Sequence, residues 1–302
     1  MYLLEAERLT RTFGTSQAVK GIDFRIGEKR CVALLGPNGA GKTTTLSMLA
    51  GLLEPTSGTI RFPGLEGDRR SWIGYLPQNP AFFGWMTGRE TMETAGRLCG
   101  LSPKEAAARA EELLETVGLK DAARRKVSGY SGGMKQRLGL AQAVVHRPKL
   151  LILDEPVSAM DPVGRRDVLD MIRSWKHEMT ILLSTHILHD AEQVCDDLIL
   201  LHKGQVLAQG TLDELQTGSG PAAIRIKTAE GAASKAWLEA LPSLPGVIRS
   251  EGESWERKLR TDSVDELRAR ILLSAAENRI PIVQFEAGYP SLEEWFMEAV
   301  QS

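Results

Sequence analysis

The chain has 302 residues, of which 42% are apolar, and its formal net charge is -2. This length and apolar content suit one large globular domain or two smaller ones. Charges of both signs are spread along the chain, so we expect no nucleic-acid partner, and no apolar run approaches the ~20 residues that a bilayer span requires. The three cysteines show no C-x-x-C spacing, which favours neither a disulfide framework nor a zinc site.

The first part of the chain predicts strands at residues 2–9 and 18–26, with Phe13 in the turn between them. An aromatic ring in such a turn either packs into the core or stays exposed, where it can stack on a planar ligand. Both interpretations of Phe13 remain open from the local sequence.

Residues 36–44 read GPNGAGKTT and lie between an apolar run at 31–35 and a helical pattern at 43–53. Glycines allow the loop amides to turn inward, and a helix N-terminus attracts anions. Lys42 adds a full positive charge, and the Thr43 hydroxyl suits Mg²⁺. The pattern G-x-x-x-x-G-K-[ST] predicts a phosphate loop for a nucleoside triphosphate, the alternative being a Gly-rich turn with a solvated lysine. The loop consists of Gly36, Pro37, Asn38, Gly39, Ala40, Gly41, Lys42, Thr43 and Thr44.

Two acidic residues follow the apolar strand predicted at 149–153, at the edge where open α/β sheets bind ligands. Asp154 suits Mg²⁺, and Glu155 suits a general base, or the polarisation of water, in phosphoryl transfer. The alternative is a capping role, although Pro156 indicates a turn at this point.

Two more polar residues follow predicted strands. Gln78 comes after the strand at 71–76, and His186 after the strand at 180–184. The Gln78 amide could coordinate a metal or orient water, although most such glutamines are surface residues. His186 could contact the γ-phosphate of a nucleotide, although a lone histidine is more often structural.

A second Gly-rich helix start occurs at residues 128–136, which read SGYSGGMKQ. Ser131 is placed to cap a helix predicted to continue through residue 146, and Gly132 and Gly133 would let another group approach the first helical amides. We interpret this segment as a second anion site, the alternative being an ordinary N-cap.

Taken in chain order, these motifs resemble those of the nucleotide-binding subunit of ABC transporters over about residues 2–217. GPNGAGKTT resembles the Walker A loop, Gln78 the Q-loop, YSGGM the signature motif, LLILDEP the Walker B motif, residues 158–161 the D-loop and His186 the switch histidine. Two positions depart from the usual pattern, with Met134 in place of the commonest Gln and Phe13 in place of Tyr. The signature backbone and Ser131 are retained, and a phenyl ring still stacks.

The resemblance implies an α/β fold of the P-loop NTPase, ABC type, with a mixed-sheet core and a helical subdomain at residues 1–217. It implies ATP and Mg²⁺ as cofactors, with Phe13 stacking on the base. The implied catalytic residues are Lys42, Glu155 and His186, and the implied metal ligands are Thr43, Gln78 and Asp154. It also implies a head-to-tail dimer, either a homodimer or a pair with another ATPase subunit. In that dimer Ser131, Gly132 and Gly133 of one subunit would face the phosphates held by the other.

The pattern changes after a linker-like GSGP segment at 218–221. Strands at 222–227, 246–250, 255–260 and 280–286 and helices at 231–240 and 264–277 follow in the order βαββαβ, the ferredoxin-like arrangement. The segment from Ser291 to Phe296 is predicted to open a last helix. We therefore predict a small α+β domain at residues 218–302, which resembles the C-terminal extension of ATPase subunits of ABC-2-type exporters. We expect it to serve regulation or subunit contact.

The leading hypothesis is an ATPase that powers a separate membrane permease, with export as the expected direction. It would act at the cytoplasmic face of the membrane and be held there through the permease. The alternative is a soluble ABC-type ATPase of translation or DNA repair, while a small-molecule kinase does not account for YSGGM. The aromatic-rich segment after Gln78 would dock a permease helix if exposed, or cover the core if buried; it contains Phe82, Phe83, Trp85 and Met86.

Overall fold

A computed structural model describes residues 1–158, 160–217 and 222–289, together with 293, 294 and 296. These residues form two compact units, one spanning Met1–Leu212 and the other beginning at Asp213. The predicted linker at 218–221 lies outside the described residues, as do residues 291, 292 and 295 of the segment predicted to open the last helix.

The first unit contains two sheets and several helices. Its strands are β1 (Tyr2–Phe13), β2 (Ser16–Gly27), β3 (Cys31–Leu35), β4 (Ser57–Arg61), β5 (Ile73–Leu76), β6 (Leu150–Asp154), β7 (Thr180–Thr185), β8 (Asp197–His202) and β9 (Gln205–Thr211). Its helices are α1 (Lys42–Leu49), α2 (Gly88–Leu98), α3 (Pro103–Thr116), α4 (Gly132–Ala143), α5 (Pro162–Trp175) and α6 (Leu188–Val194), and α7 (Leu212–Thr217) follows them.

The six-stranded sheet has the order β5-β6-β7-β3-β8-β9. The first five strands in that order are parallel to one another, and β9 is antiparallel to β8. Strands β3, β6 and β7 are buried along their whole length, as expected for parallel strands covered on both faces. A separate antiparallel sheet has the order β2-β1-β4. The mixed sheet confirms the predicted fold class of this unit.

Local sequence signals explain where several helices begin and end. Helices α2 and α3 each start with a complete capping box, which satisfies two of their free N-terminal amides. Helix α1 ends at Leu49, earlier than predicted, because Gly51 takes a left-handed φ of 74°. Helix α4 ends at Ala143 rather than at residue 146, and Arg147 then turns the chain towards β6 with a φ of 56°.

The second unit has the predicted βαββαβ order. Its elements are β10 (Ala222–Thr228), α8 (Ala232–Ala240), β11 (Arg249–Glu251), β12 (Glu256–Thr261), α9 (Val264–Glu277) and β13 (Ile282–Gly288). The strands form an antiparallel sheet of order β11-β12-β10-β13, the ferredoxin-like pattern. Its core joins sheet residues such as Ile224 and Leu259 to helix residues such as Leu238 and Ile271.

Among the described residues, no helix combines the length and apolar character needed to cross a membrane.

Candidate functional site

Four neighbouring parallel strands bring the predicted site residues to one edge of the six-stranded sheet. Because β5, β6, β7 and β3 are adjacent and parallel, their carboxyl ends lie side by side. Gln78 follows β5, Asp154 ends β6, His186 follows β7, and Gly36 follows β3. This is the sheet edge at which α/β proteins bind their ligands.

The phosphate loop depends on glycine at two positions where a side chain has no room. A Cβ atom on Gly36 would overlap the carbonyl oxygen of Leu201 in β8. Gly41 has a φ of 103°, and a Cβ there would lie 2.6 Å from the Ala18 carbonyl oxygen. These close approaches set the path of the loop into α1, whose start has no side-chain cap.

The remaining loop residues line the route from β3 into α1. Asn38 and Gly39 are exposed, Pro37 is half-buried, and Ala40 is buried. Thr43 and Thr44 follow Lys42 as the next residues of α1, and the Thr43 side chain is exposed. The arrangement leaves amides and a hydroxyl at a helix N-terminus, where anions are stabilised.

Lys42 is nearly buried at the start of α1, with only 5% of its surface exposed. Its ammonium donates to the carbonyl oxygens of Gly36 (2.7 Å) and Pro37 (3.2 Å) and lies 3.6 Å from Glu155 Oε1. Burial lowers the pKa of Lys42 below its usual value, and the negative charges of Glu155 and Asp154 oppose that shift. In these surroundings its attraction to a phosphate is stronger than in water.

Glu155 is the residue at which several predicted site residues meet. Its Oε1 lies 3.2 Å from His186 Nδ1, and its Oε2 accepts a 3.2 Å hydrogen bond from Gln78 Nε2. The side chain is almost buried, whereas His186 is 40% exposed. Because Lys42 also approaches Oε1, the carboxylate lies among three polar groups that can orient it toward a reacting water.

Asp154 is fully buried and is held by a serine that the sequence reasoning did not select. The Ser184 hydroxyl donates to Asp154 Oδ1 (2.6 Å) and accepts from the Glu155 N–H (2.9 Å). Ser184 lies opposite Asp154 in the β6–β7 register. A hydroxyl residue near the end of an otherwise apolar strand was the available signal for this bridge.

The start of α4 forms a separate exposed site. Ser131 caps the helix by accepting from the Met134 N–H (3.2 Å), and both Ser131 and Gly132 are exposed. Positions for a Cβ on Gly132 and Gly133 face open space. Within the described residues, the polar contacts of Ser131 are with its own helix rather than with the cluster around Glu155.

Two aromatic features lie outside this cluster. The Phe13 ring is 46% exposed and lies 4.6 Å below the Arg11 guanidinium, so it is not a core residue. After Gln78, Phe83 and Trp85 are 69% and 71% exposed, with ring centroids 5.8 Å apart. Met86 is buried, so only part of the aromatic-rich segment is available for contact.

Two family descriptions match the chain, one for each unit of the fold. Residues 19–158 match the ABC transporter family. Residues 210–300 match the C-terminal domain of DrrA1-3-like ATP-binding proteins.

Curated relatives match over almost the whole chain. The ABC transporter ATP-binding protein YxlF of Bacillus subtilis is 46% identical, over 99% of this chain and 100% of its own length. The linearmycin resistance ATP-binding protein LnrL of the same organism is 33% identical, over 98% of this chain and 97% of its own. The daunorubicin/doxorubicin resistance ATP-binding protein DrrA of Streptomyces peucetius is 35% identical, over 97% of this chain and 91% of its own length.

Solved structures match about seven-tenths of the chain. An ATP-binding subunit of an ABC transporter is 34% identical with a TM-score of 0.65, over 72% of this chain and 92% of its own. A dimeric ATP-binding cassette in a post-hydrolysis state, bound to ADP and Pi, is 25% identical with a TM-score of 0.63. The match covers 69% of this chain and 98% of the cassette.

The chain therefore belongs to the ABC transporter ATP-binding proteins, and its second unit matches the C-terminal domain of DrrA1-3-like members. It is an ATP-binding ATPase subunit. Subunits of this family work with separate transmembrane permease components. The prediction of a transporter ATPase is confirmed, and these relatives favour it over the translation or DNA-repair alternative.

Proposed function

We propose that this chain hydrolyses ATP at two composite sites of a head-to-tail dimer and thereby powers an export permease at the cytoplasmic face of the membrane. The observation that carries the proposal is the meeting of Lys42, Gln78 and His186 at the Glu155 carboxylate. In this proposal Glu155 accepts the proton of the attacking water or polarises it, while His186 and Gln78 hold the carboxylate in place.

Lys42 would neutralise the phosphates. Its ammonium donates to two loop carbonyl oxygens, which are weaker acceptors than a phosphate anion. On ATP binding the lysine would exchange those carbonyls for phosphate oxygens. Phe13 is exposed enough for its ring to stack on the base.

The oxygen-rich residues at this edge fit a magnesium ion. The Asp154 carboxylate, the Thr43 hydroxyl and the Gln78 amide oxygen are the hard ligands that Mg²⁺ prefers. Asp154 is held in a fixed orientation by Ser184. When bound, Mg²⁺ would neutralise charge on the β- and γ-phosphates.

The exposed start of α4 supports the dimer. Ser131 and Gly132 present a helix N-terminus to solvent, and open space at Gly132 and Gly133 would let a γ-phosphate approach the amides closely. We propose that this surface closes on the phosphate loop of a second subunit. The dimeric cassette bound to ADP and Pi is a precedent among similar structures.

Export is proposed from the relatives and not from the site. The C-terminal match is to DrrA1-3-like proteins, and relatives of similar length carry names for daunorubicin and linearmycin resistance. The transported compound would contact the permease, so this chain identifies no particular substrate.

The test is Glu155→Gln in the full-length protein. The amide keeps the size of the side chain but cannot act as a base, so we expect retained ATP affinity, a large loss of turnover and an ATP-dependent dimer. Size-exclusion chromatography with light scattering, with and without ATP and Mg²⁺, measures the dimer, and phosphate release measures turnover.

A second substitution separates dimerisation from nucleotide binding. Adding Ser131→Arg to Glu155→Gln should abolish the dimer, because a bulky side chain would obstruct the exposed amides. The control is Gln142→Arg, at an exposed position of the same helix about 16 Å from Ser131 by helical rise, which should leave the dimer intact. A Glu155→Gln protein that stays monomeric at saturating ATP, or that hydrolyses ATP at the parent rate, would overturn the proposal.

A further inference from the structure

An ion pair with a buried carboxylate and a half-buried guanidinium lies beside the site, between helices α5 and α6. Asp190 of α6 is 1% exposed, and Arg165 of α5 donates to its Oδ1 from Nε (2.7 Å) and from Nη2 (2.5 Å). A buried carboxylate without a partner is strongly unfavourable, so the position of Asp190 is tied to that of Arg165.

The other oxygen of Asp190 faces the turn that carries the switch histidine. Asp190 Oδ2 lies 3.5 Å from the hydroxyl of Thr185, the last residue of β7. That hydroxyl accepts a 3.0 Å hydrogen bond from the Ile187 N–H. The Thr185 hydroxyl therefore connects the two residues that flank His186, and the Asp190 carboxylate contacts this hydroxyl.

The geometry points to a positioning role for the Arg165–Asp190 pair: we propose that it holds the Thr185–Ile187 turn so that His186 reaches Glu155. His186 Nδ1 lies 3.2 Å from Glu155 Oε1, a separation that a small movement of the turn would break. The inference rests on the function proposed above for Glu155 and His186, and it adds two residues that no sequence motif selected.

The pair also links this turn to the segment before α5. Arg165 lies in the first turn of the helix. Its backbone N–H donates to the carbonyl oxygen of Asp161, the N-cap residue (2.9 Å). Asp161 ends the predicted D-loop at residues 158–161. A displacement at the start of α5 would therefore be transmitted to His186 through the guanidinium and the buried carboxylate.

The first test is Asp190→Asn in the full-length protein. The change keeps the shape of the side chain and weakens its bond to Arg165. We expect turnover to fall about 10- to 100-fold, the range for a catalytic group displaced by a fraction of an ångström to an ångström, with little change in ATP affinity. Phosphate release gives turnover, and equilibrium nucleotide binding gives affinity.

A double-mutant cycle with His186→Ala distinguishes positioning from a general structural role. If Asp190 acts through His186, the double variant should hydrolyse ATP no more than about twofold slower than His186→Ala alone. Turnover losses that multiply in the double variant would overturn the proposal. The Glu155→Gln dimer assay does not depend on this cycle, so failure of the positioning role is distinguishable from failure of the proposed function.

Further variants keep the test decisive if Asp190→Asn folds poorly. Arg165→Met/Asp190→Asn removes both charges and leaves no unpaired carboxylate. Thr185→Val removes only the hydroxyl and keeps the ion pair. Both should show the same non-additivity with His186→Ala, and a multiplicative loss in either would contradict the role assigned to the pair.

The chain offers a matched control and a rescue. Arg173 lies on the same helix and the same cleft as Arg165, but its ion pair with Asp170 is exposed, so Arg173→Met should leave turnover unchanged. Arg165→Lys retains the charge and should keep more activity than Arg165→Met. Equal losses in these two variants would indicate that the charge at 165 does not matter, which would also count against the proposal.

Discussion

The two units of this protein differ in what they bury. Both pack helices on a sheet around an apolar core, but among the described residues the buried charged side chains all lie in the first unit. They are Lys42, Asp154, Glu155 and Asp190. The buried polar residues described in the second unit are neutral ones such as Thr228 and Thr261.

This difference places the side chains whose burial opposes folding in the unit that carries the candidate site. Burying a charge is costly unless it is paired or hydrogen-bonded. Lys42 and Glu155 pair with each other, Asp190 pairs with Arg165, and Asp154 accepts a hydrogen bond from Ser184. A ferredoxin-like unit with an apolar core needs no such arrangement to fold. The fold alone would not assign the activity to one unit, whereas the buried charges do.

Lys42→Ala is the strongest test of the comparison, because it removes one buried charge from the first unit. We expect turnover to fall about 100- to 1,000-fold, the cost of losing one electrostatic contact to a developing charge. Phosphate release by the purified protein is the measurement. The control is Lys120→Ala, whose exposed ion pair with Glu115 contributes little. Near-normal turnover in Lys42→Ala would break the link between buried charge and activity.

Leu259→Ala tests the second unit, whose core should matter for stability alone. Leu259 is fully buried in β12, and its truncation should lower the free energy of unfolding by about 2–5 kcal/mol. ATP affinity should stay at the parent value. Leu182→Ala in the buried strand β7 is the matched change in the first unit and should weaken nucleotide binding as well. Chemical denaturation and nucleotide titration measure both quantities, and a loss of ATP affinity in Leu259→Ala would contradict the division.

Trp85→Glu sharpens the comparison at the surface of the first unit. Trp85 and Phe83 form an exposed aromatic pair close to Gln78 in sequence, which suits docking of a permease helix. We expect weaker co-purification with the permease from gently solubilised membranes, with an unchanged melting temperature and ATP affinity. Leu207→Glu, at another exposed apolar position of this unit, should have no such effect. A lower melting temperature in the Trp85 variant would show instead that the ring stabilises the fold of this unit.

The smallest expected effect is that of removing the second unit. A chain that ends at residue 218 retains the phosphate loop, both acids and the switch histidine. We expect its ATP dissociation constant to stay within about twofold of the full chain, since every residue assigned to nucleotide binding lies in the first unit. Isothermal titration with a slowly hydrolysed ATP analogue measures this. Aggregation, or loss of nucleotide binding, would show that the first unit depends on the second.

Periodicity and turn chemistry were enough to predict much of the fold. The strand predicted at 180–184 is β7, which spans Thr180–Thr185. The βαββαβ order of the second unit was predicted from the succession of strand and helix patterns after the linker. The helix ends were less predictable, because apolar periodicity continues past them. Helix α1 ends before the left-handed Gly51, and α4 ends at Ala143, four residues before the left-handed Arg147.

The candidate site was predicted where single motifs carry it and missed where contacts join distant segments. Lys42, Asp154 and Glu155 belong to short patterns, and the roles assigned to them remain proposals. Ser184 and Asp190 act through partners at distant positions along the chain, Asp154 and Arg165 respectively. No spacing rule connects such residues, since only the sheet register and helix packing bring them together.

The backbone of Glu155 has a consequence for how this enzyme can evolve. Its φ of 47° lies in the left-handed region, which costs a residue with a Cβ roughly 1–2 kcal/mol relative to ordinary backbone. Replacement by glycine would relieve that strain while deleting the carboxylate. Glycine would also leave the buried Lys42 ammonium without its carboxylate partner, so the strained backbone is tolerated both for that pairing and, in the role proposed for Glu155, for turnover.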